Sequence, residues 1–171
     1  MAHATRHPEH PSKVIILSAA ARLIVERMAH AFARLGGAKA YAAAMDFWQL
    51  ASPANGARYA EWCLPQYFRR PQDPNHDRRS ILSAALTDAY LAPDGPAHTC
   101  DFRKALGRVQ CPTLVMGGED DPVTTIEDMA EIAAPVPQHL VQFERIPNCG
   151  HGPFLDEPEH TARIMRAFIL S

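Results

Sequence analysis

The sequence predicts an α/β fold built on a parallel sheet, and three observations carry the prediction. Val14-Ile15-Ile16-Leu17, Thr113-Leu114-Val115-Met116 and His139-Leu140-Val141-Gln142-Phe143 are short apolar runs with the texture of strands. The second and third runs are each followed by a loop and a helical pattern, an alternation that implies right-handed crossovers between parallel strands. The loops leaving these two strands carry Asp121, in Gly117-Gly118-Glu119-Asp120-Asp121-Pro122, and His151, in Asn148-Cys149-Gly150-His151-Gly152-Pro153. Both residues therefore fall beyond the carboxyl ends of the strands, where open parallel sheets bind ligands.

In chain order, the first residues up to Arg6 read as the end of a helix that Pro8 and Pro11 stop. Val14 to Leu17, short and β-branched, suits a strand buried on both faces. Residues 22–105 have a helical texture. Leu23, Ile24, Met28, Ala31, Phe32 and Leu35 recur at helical spacing until Gly36-Gly37 breaks the run. Further helical patches cover residues 38–50, 56–69 and 79–91, the last with Ile81, Leu82, Ala85, Leu86 and Tyr90, and prolines punctuate the stretch. After the second strand, Thr124-Thr125-Ile126-Glu127 reads as a capping box with Thr124 as N-cap. The final helix is expected to open on Asp156 as a capping acid and to bury Ala162, Met165, Phe168 and Ile169.

Bulk properties exclude several classes. A chain of 171 residues with 47% apolar residues supports one domain with a core. Its net charge of -2 gives no basic surplus for nucleic acid or an anionic membrane. No apolar run approaches the roughly 18 residues of a membrane span. The first residues lack the apolar stretch of a signal peptide, so a cytoplasmic location is expected. Cys63, Cys100, Cys111 and Cys149 form no C-x-x-C pair or zinc framework and read as free thiols.

The two loops point to acid–base chemistry. A carboxylate bonded to one imidazole nitrogen fixes the tautomer and stabilises the imidazolium, leaving the other nitrogen to take a proton from a nucleophile. The glycines flanking His151 are expected to let the backbone turn sharply. Cys149 lies too near His151 in sequence to serve as its nucleophile. No second histidine stands at ligand spacing near either loop, so no metal is expected there, and no cofactor is implied.

The segment Cys111-Pro112-Thr113-Leu114-Val115-Met116-Gly117-Gly118-Glu119-Asp120-Asp121-Pro122 resembles the acid-bearing segment of α/β-hydrolases, most closely the proline iminopeptidase group. Residues 147–157, trailing into Phe154-Leu155-Asp156-Glu157-Pro158, resemble that family's histidine segment. Ala4-Thr5-Arg6-His7-Pro8-Glu9-His10-Pro11 is similar to its exit from the helix behind the nucleophile, and Lys13 to Leu17 to its sixth strand. Asp46-Phe47-Trp48 and Glu61-Trp62-Cys63-Leu64-Pro65-Gln66-Tyr67 resemble its helical cap.

The resemblance implies the C-terminal portion of an α/β-hydrolase fold, with about three parallel strands, flanking helices and a helical cap insertion. Residues 1–21 would hold the end of the post-nucleophile helix and a core strand, residues 22–105 the cap, and residues 106–171 the C-terminal core. It implies a serine hydrolase that releases N-terminal proline or cleaves a related small amide or ester. Asp121 would be the triad acid, preferred over Glu119 and Asp120 for its distance from the strand-ending glycine, and His151 the general base. Glu61 is a candidate for binding the substrate's amine, although an exposed helical glutamate needs no such role.

The sequence departs from the family at the nucleophile. Ser12, Ser18, Ser52, Ser80, Ser83 and Ser171 all lie outside a G-x-S-x-G context, and no His-Gly-Gly-type oxyanion segment occurs. The nucleophile is expected roughly half a dozen residues before Met1. The chain alone is then expected to be inactive, with a small peptide, amide or ester substrate only if complemented. The alternative is a non-catalytic remnant serving as a binding or interaction module. The open edge of the first strand predicts self-association.

Overall fold

In the computed structural model, which describes residues 1–71 and 83–171, the three expected strands form one parallel sheet in the order β1-β2-β3. They span Val14–Leu17 (β1), Thr113–Gly118 (β2) and Val141–Ile146 (β3). β2 is central and buried throughout. Its alternation explains why no polar face is needed. Leu114 and Met116 join Ile146, Cys149 and Phe168 on one side of the sheet, while Val115 joins Ile16, Leu106, Met129 and Ile132 on the other. Leu114, Val115 and Met116 are fully buried, each contributing about 1.5–3 kcal/mol.

β3 starts later than the sequence suggested. Pro137 to Leu140 form a turn closed by Leu140 N–H on the Pro137 carbonyl, and the strand runs on through Glu144 and Arg145. β3 pairs with β2 alone, so its polar side chains are tolerated at the edge.

Eight α-helices are assigned among the described residues: α1 (Ala2–Arg6), α2 (Val25–Gln49), α3 (Pro53–Trp62), α4 (Ala84–Leu91), α5 (Pro96–Thr99), α6 (Ile126–Ala133), α7 (Pro153–Asp156) and α8 (Pro158–Leu170). The expected break at Gly36-Gly37 is a kink within α2, where Gly37 takes φ 73°. α3 begins earlier and ends sooner than expected. Ser52 caps it through Asn55 N–H, Pro53 fits its first turn, and a 3-10 turn over Leu64–Gln66 follows at Pro65. The predicted helix over residues 79–91 begins at Ala84 among the described residues, and its first part lies outside them. Between β1 and β2 the described residues contain helices and turns but no strand. Met28, Phe32, Ala44, Tyr59 and Cys63 pack this helical stretch together, and Val123 from the loop after β2 joins them.

Two N-terminal caps differ from the sequence reading. The capping box of α6 is Thr125 with Asp128, one residue later than expected. Thr124 is unavailable because its hydroxyl donates to Asp121. Arg27 of α2 reaches across to Asp128 and Glu131, at 2.6 and 2.5 Å, and ties the helical stretch to α6. Asp156 is not a cap for α8. It is buried and receives backbone N–H groups from elsewhere, described below.

The buried stripe of α8 is also rotated from the expected one. Thr161 and Phe168 are buried and Ile164 and Met165 pack beside them, whereas Ala162 is exposed and Ile169 is 56% exposed. The helix turns Thr161 inward because its hydroxyl donates to the Pro153 carbonyl at 2.9 Å. Lys13, just before β1, closes the other end, donating to the carbonyls of Phe168 and Ile169 at 2.8 and 3.1 Å.

Candidate active site

The loop after β2 and the loop after β3 are stitched together by their backbones. Glu119 N–H donates to the Ile146 carbonyl and Asp120 N–H to the Cys149 carbonyl, at 3.0 and 2.9 Å. Gly118 permits this approach, since a Cβ there would lie 2.1 Å from the Cys149 oxygen. The stitching fixes the relative position of Asp121 and His151.

Asp121 is 2% exposed. Its Oδ1 accepts Val123 N–H at 2.8 Å and Thr124 N–H at 3.0 Å. Its Oδ2 accepts the Thr124 hydroxyl at 2.8 Å and faces His151 Nδ1 at 2.9 Å. The loop thus holds the carboxylate rigidly against the imidazole. Of the three consecutive acids, Asp121 alone is bonded to the ring. Glu119 pairs with Arg145 at the surface, and Asp120 is exposed. With Nδ1 directed at a carboxylate, Nδ1 carries the hydrogen of the neutral ring and Nε2 is left as the acceptor.

The glycines beside His151 serve close packing rather than a sharp turn. The positive φ in this loop belongs to Asn148, at 54°. A Cβ at Gly150 would lie 2.1 Å from the Tyr67 carbonyl oxygen. That carbonyl accepts His151 N–H at 2.7 Å. Asp156 completes the clamp: Oδ2 accepts Gly150 N–H at 2.8 Å, and Oδ1 accepts Arg69 and Arg70 N–H at 2.9 and 3.0 Å. The histidine loop is therefore fastened to residues 67–70 from both sides. Sequence reasoning missed Asp156, Thr124 and Tyr67 as parts of the site. Asp156 and Tyr67 each had a signal, lying in segments that resemble the family's histidine region and its cap.

The Tyr67 ring stands edge-on to the imidazole, with centroids 5.5 Å apart, and its hydroxyl pairs with that of Tyr59 at 2.8 Å. Burial pushes the Tyr67 phenol up to about 12, so it is neutral and acts by packing. Burial, with help from nearby carboxylates, likewise pushes the Cys149 thiol up to about 12, and burial does the same to Cys63. Neither thiol is a nucleophile at neutral pH. All four cysteines are free, and Cys100 is the exposed one. A thiol reagent at neutral pH is expected to modify Cys100 alone in the native chain and all four cysteines after denaturation. Native labelling of Cys149 would contradict the burial.

His151, whose side chain is 29% exposed, lines a cavity of about 540 Å³ between the helical stretch and the carboxyl ends of the strands. Trp48, Tyr67 and Tyr90 supply aromatic walls, Thr124 and His151 come from the core loops, and Ser18 follows β1. Ser18 has a φ of 41°, and its Oγ is buried without a hydrogen-bond partner among the described atoms. Glu61 is exposed on α3 and does not line the cavity. Among the described residues lining it, the charged side chain is Arg22.

A parallel sheet with helices on both faces, an acid after one strand and a histidine after the next define a chain of the α/β-hydrolase type. Residues 18–158 match the family described as the alpha/beta hydrolase fold, and the chain belongs to that family. A proline iminopeptidase of Lactobacillus crispatus is 27% identical over 79 residues, which are 45% of this chain and 25% of that protein. Among solved structures, a thermophilic esterase from Thermogutta terrifontis, described with malate bound, is 25% identical with a TM-score of 0.63. The match covers 98% of this chain and 59% of the esterase. An α/β fold family hydrolase from Bacillus anthracis is 17% identical with a TM-score of 0.67, covering 98% of this chain and 62% of that one. The chain therefore spans about three fifths of the length of these solved hydrolases. Among the described residues, no helix is long and apolar enough to cross a membrane.

Proposed function

We propose that this chain supplies the acid and the general base of a hydrolase that cleaves a small ester or amide, with Asp121 orienting His151. The observation that carries this reading is the 2.9 Å contact between Asp121 Oδ2 and a cavity-lining imidazole whose Nε2 is left to accept a proton. The helical stretch then acts as a cap over the reacting bond. The nucleophile and oxyanion donors come from polypeptide outside these 171 residues, since no G-x-S-x-G turn occurs within them.

Release of N-terminal proline is the narrower reading, supported by the partial match to the Lactobacillus crispatus enzyme. A specific observation favours an ester or a neutral amide over a free-amine peptide. Among the described residues lining the cavity Arg22 is the charged side chain and no carboxylate occurs, so a free ammonium there would meet a like charge without an ion-pair partner.

The test combines a fluorophosphonate probe with ester and proline-amide substrates. The 171 residues alone are expected to take no probe and to show no His151-dependent turnover. Co-folded with a polypeptide bearing the nucleophile turn, they are expected to hydrolyse the ester in a manner abolished by His151→Ala. Labelling of Ser18 in the isolated chain would overturn the placement of the nucleophile. A co-folded assembly without His151-dependent turnover would favour the binding-module reading.

A further inference from the structure

A second constellation of ligating groups lies at the opposite end of the sheet from His151. His3, His7, Glu9 and His10 precede the amino end of β1 and are all exposed. The imidazole centroids stand 5.2 Å apart for His3 and His7, 5.6 Å for His3 and His10, and 5.1 Å for His7 and His10. Ligand atoms of His7, Glu9 and His10 lie within 4.8 Å of one another, with Glu9 Oε1 3.2 Å from His10 Nε2.

The backbone holds these groups together. His7 N–H donates to the His3 carbonyl at 2.8 Å, which sets the two rings side by side one helical turn apart. His10 N–H then donates to the His7 carbonyl at 3.1 Å, folding the chain back over Pro8 and returning His10 to the pair. Pro8 and Pro11 restrict the backbone on either side of Glu9 and His10. Ala4 and Thr5 are buried, with Ala4 packed against Val109, Cys111 and Val136, so the core fixes α1 and turns its histidines to solvent. The result is a backbone turn that carries three exposed imidazoles and an exposed carboxylate.

We propose that this cluster binds a divalent first-row transition metal of the zinc type through His7, Glu9 and His10, with His3 closing the fourth position. Three imidazoles and one carboxylate are a donor set suited to zinc. A tetrahedral zinc ion sets its ligand atoms about 3.3 Å apart, a contraction that rotation of exposed side chains supplies. The bound ion would staple α1 to the segment entering β1.

The test is calorimetric titration of zinc chloride into the full chain carrying Cys100→Ser, which removes the exposed thiol as a competing ligand. One ion per chain is expected. The His7→Ala/His10→Ala variant is expected to bind at least about tenfold more weakly, a loss of about 1.4 kcal/mol. The variant sites are exposed, so melting curves in metal-free buffer should match the parent. Zinc should raise the melting temperature of the parent and leave that of the variant unchanged. His3→Ala, a single exposed change, provides an independent second reading and should weaken binding severalfold. Absence of zinc binding by the parent, or unchanged isotherms in these variants, would overturn the site.

Discussion

Asp156→Ala is expected to lower the free energy of unfolding by about 2–4 kcal/mol, because it leaves the buried Gly150 N–H and the part-buried Arg69 and Arg70 N–H groups without their acceptor. Asp156 is fully buried, and its two oxygens receive Gly150, Arg69 and Arg70. These donors belong to segments far apart in sequence, so no local rearrangement replaces the lost acceptor. Asp156→Asn should recover part of the loss. Its carbonyl oxygen still serves Arg69 and Arg70, but its amide group opposes the Gly150 N–H. Denaturant titration gives the energies. Hydrogen exchange should show the amides of Gly150, Arg69 and Arg70 losing protection together. A stability change below about 1 kcal/mol would mean that the clamp is not the principal tie on the histidine loop.

Asp121→Asn should act on chemistry more than on folding. Its side-chain oxygen continues to accept Val123 and Thr124 N–H, so the loop keeps its shape. The group that replaces Oδ2, however, is an NH₂ that donates toward His151 Nδ1. The ring must then accept at Nδ1 and carry its hydrogen on Nε2, the wrong nitrogen for a general base. In an assembly containing the nucleophile, kcat is expected to fall about 10⁴-fold with stability little changed. Steady-state kinetics beside thermal melts would separate the two effects. A loss confined to KM would argue that Asp121 supports substrate binding instead.

The elements legible in the sequence were those set by local pattern. β1 and β2 announce themselves through apolar runs, although β2 is buried throughout and β1, expected to be buried on both faces, buries only Ile16; Gly36-Gly37 marks a break that the backbone makes at Gly37. Asp121 and His151 were legible because each follows a strand end. Features set by long-range contact were not. The start of β3 was misplaced because His139 and Leu140 look strand-like but are drawn into a turn at Pro137. Thr124 satisfies a capping pattern, yet the Asp121 carboxylate claims its hydroxyl and passes the cap to Thr125. Gly150 was read as permitting a sharp turn, whereas its role is to admit the Tyr67 carbonyl from a segment far away in the chain. Asp156 has the spacing of a helix cap, but its bonds run to Arg69 and Arg70, a partnership no sequence period reveals. Glu61 was chosen by position and charge, and the packing of α3 leaves it at the surface, away from the cavity.

The account rests on the imidazole of His151 being held with its hydrogen on Nδ1 and its Nε2 open to a reacting group. Long-range proton–nitrogen correlation spectra of the native chain at mildly alkaline pH read this directly. The Nδ1–H tautomer is predicted for His151, with a strongly deshielded ring proton that disappears in Asp121→Asn as the ring changes to the Nε2–H form. An Nε2–H tautomer in the parent, or a spectrum indifferent to Asp121→Asn, would contradict the assignment of these two residues as an acid–base pair.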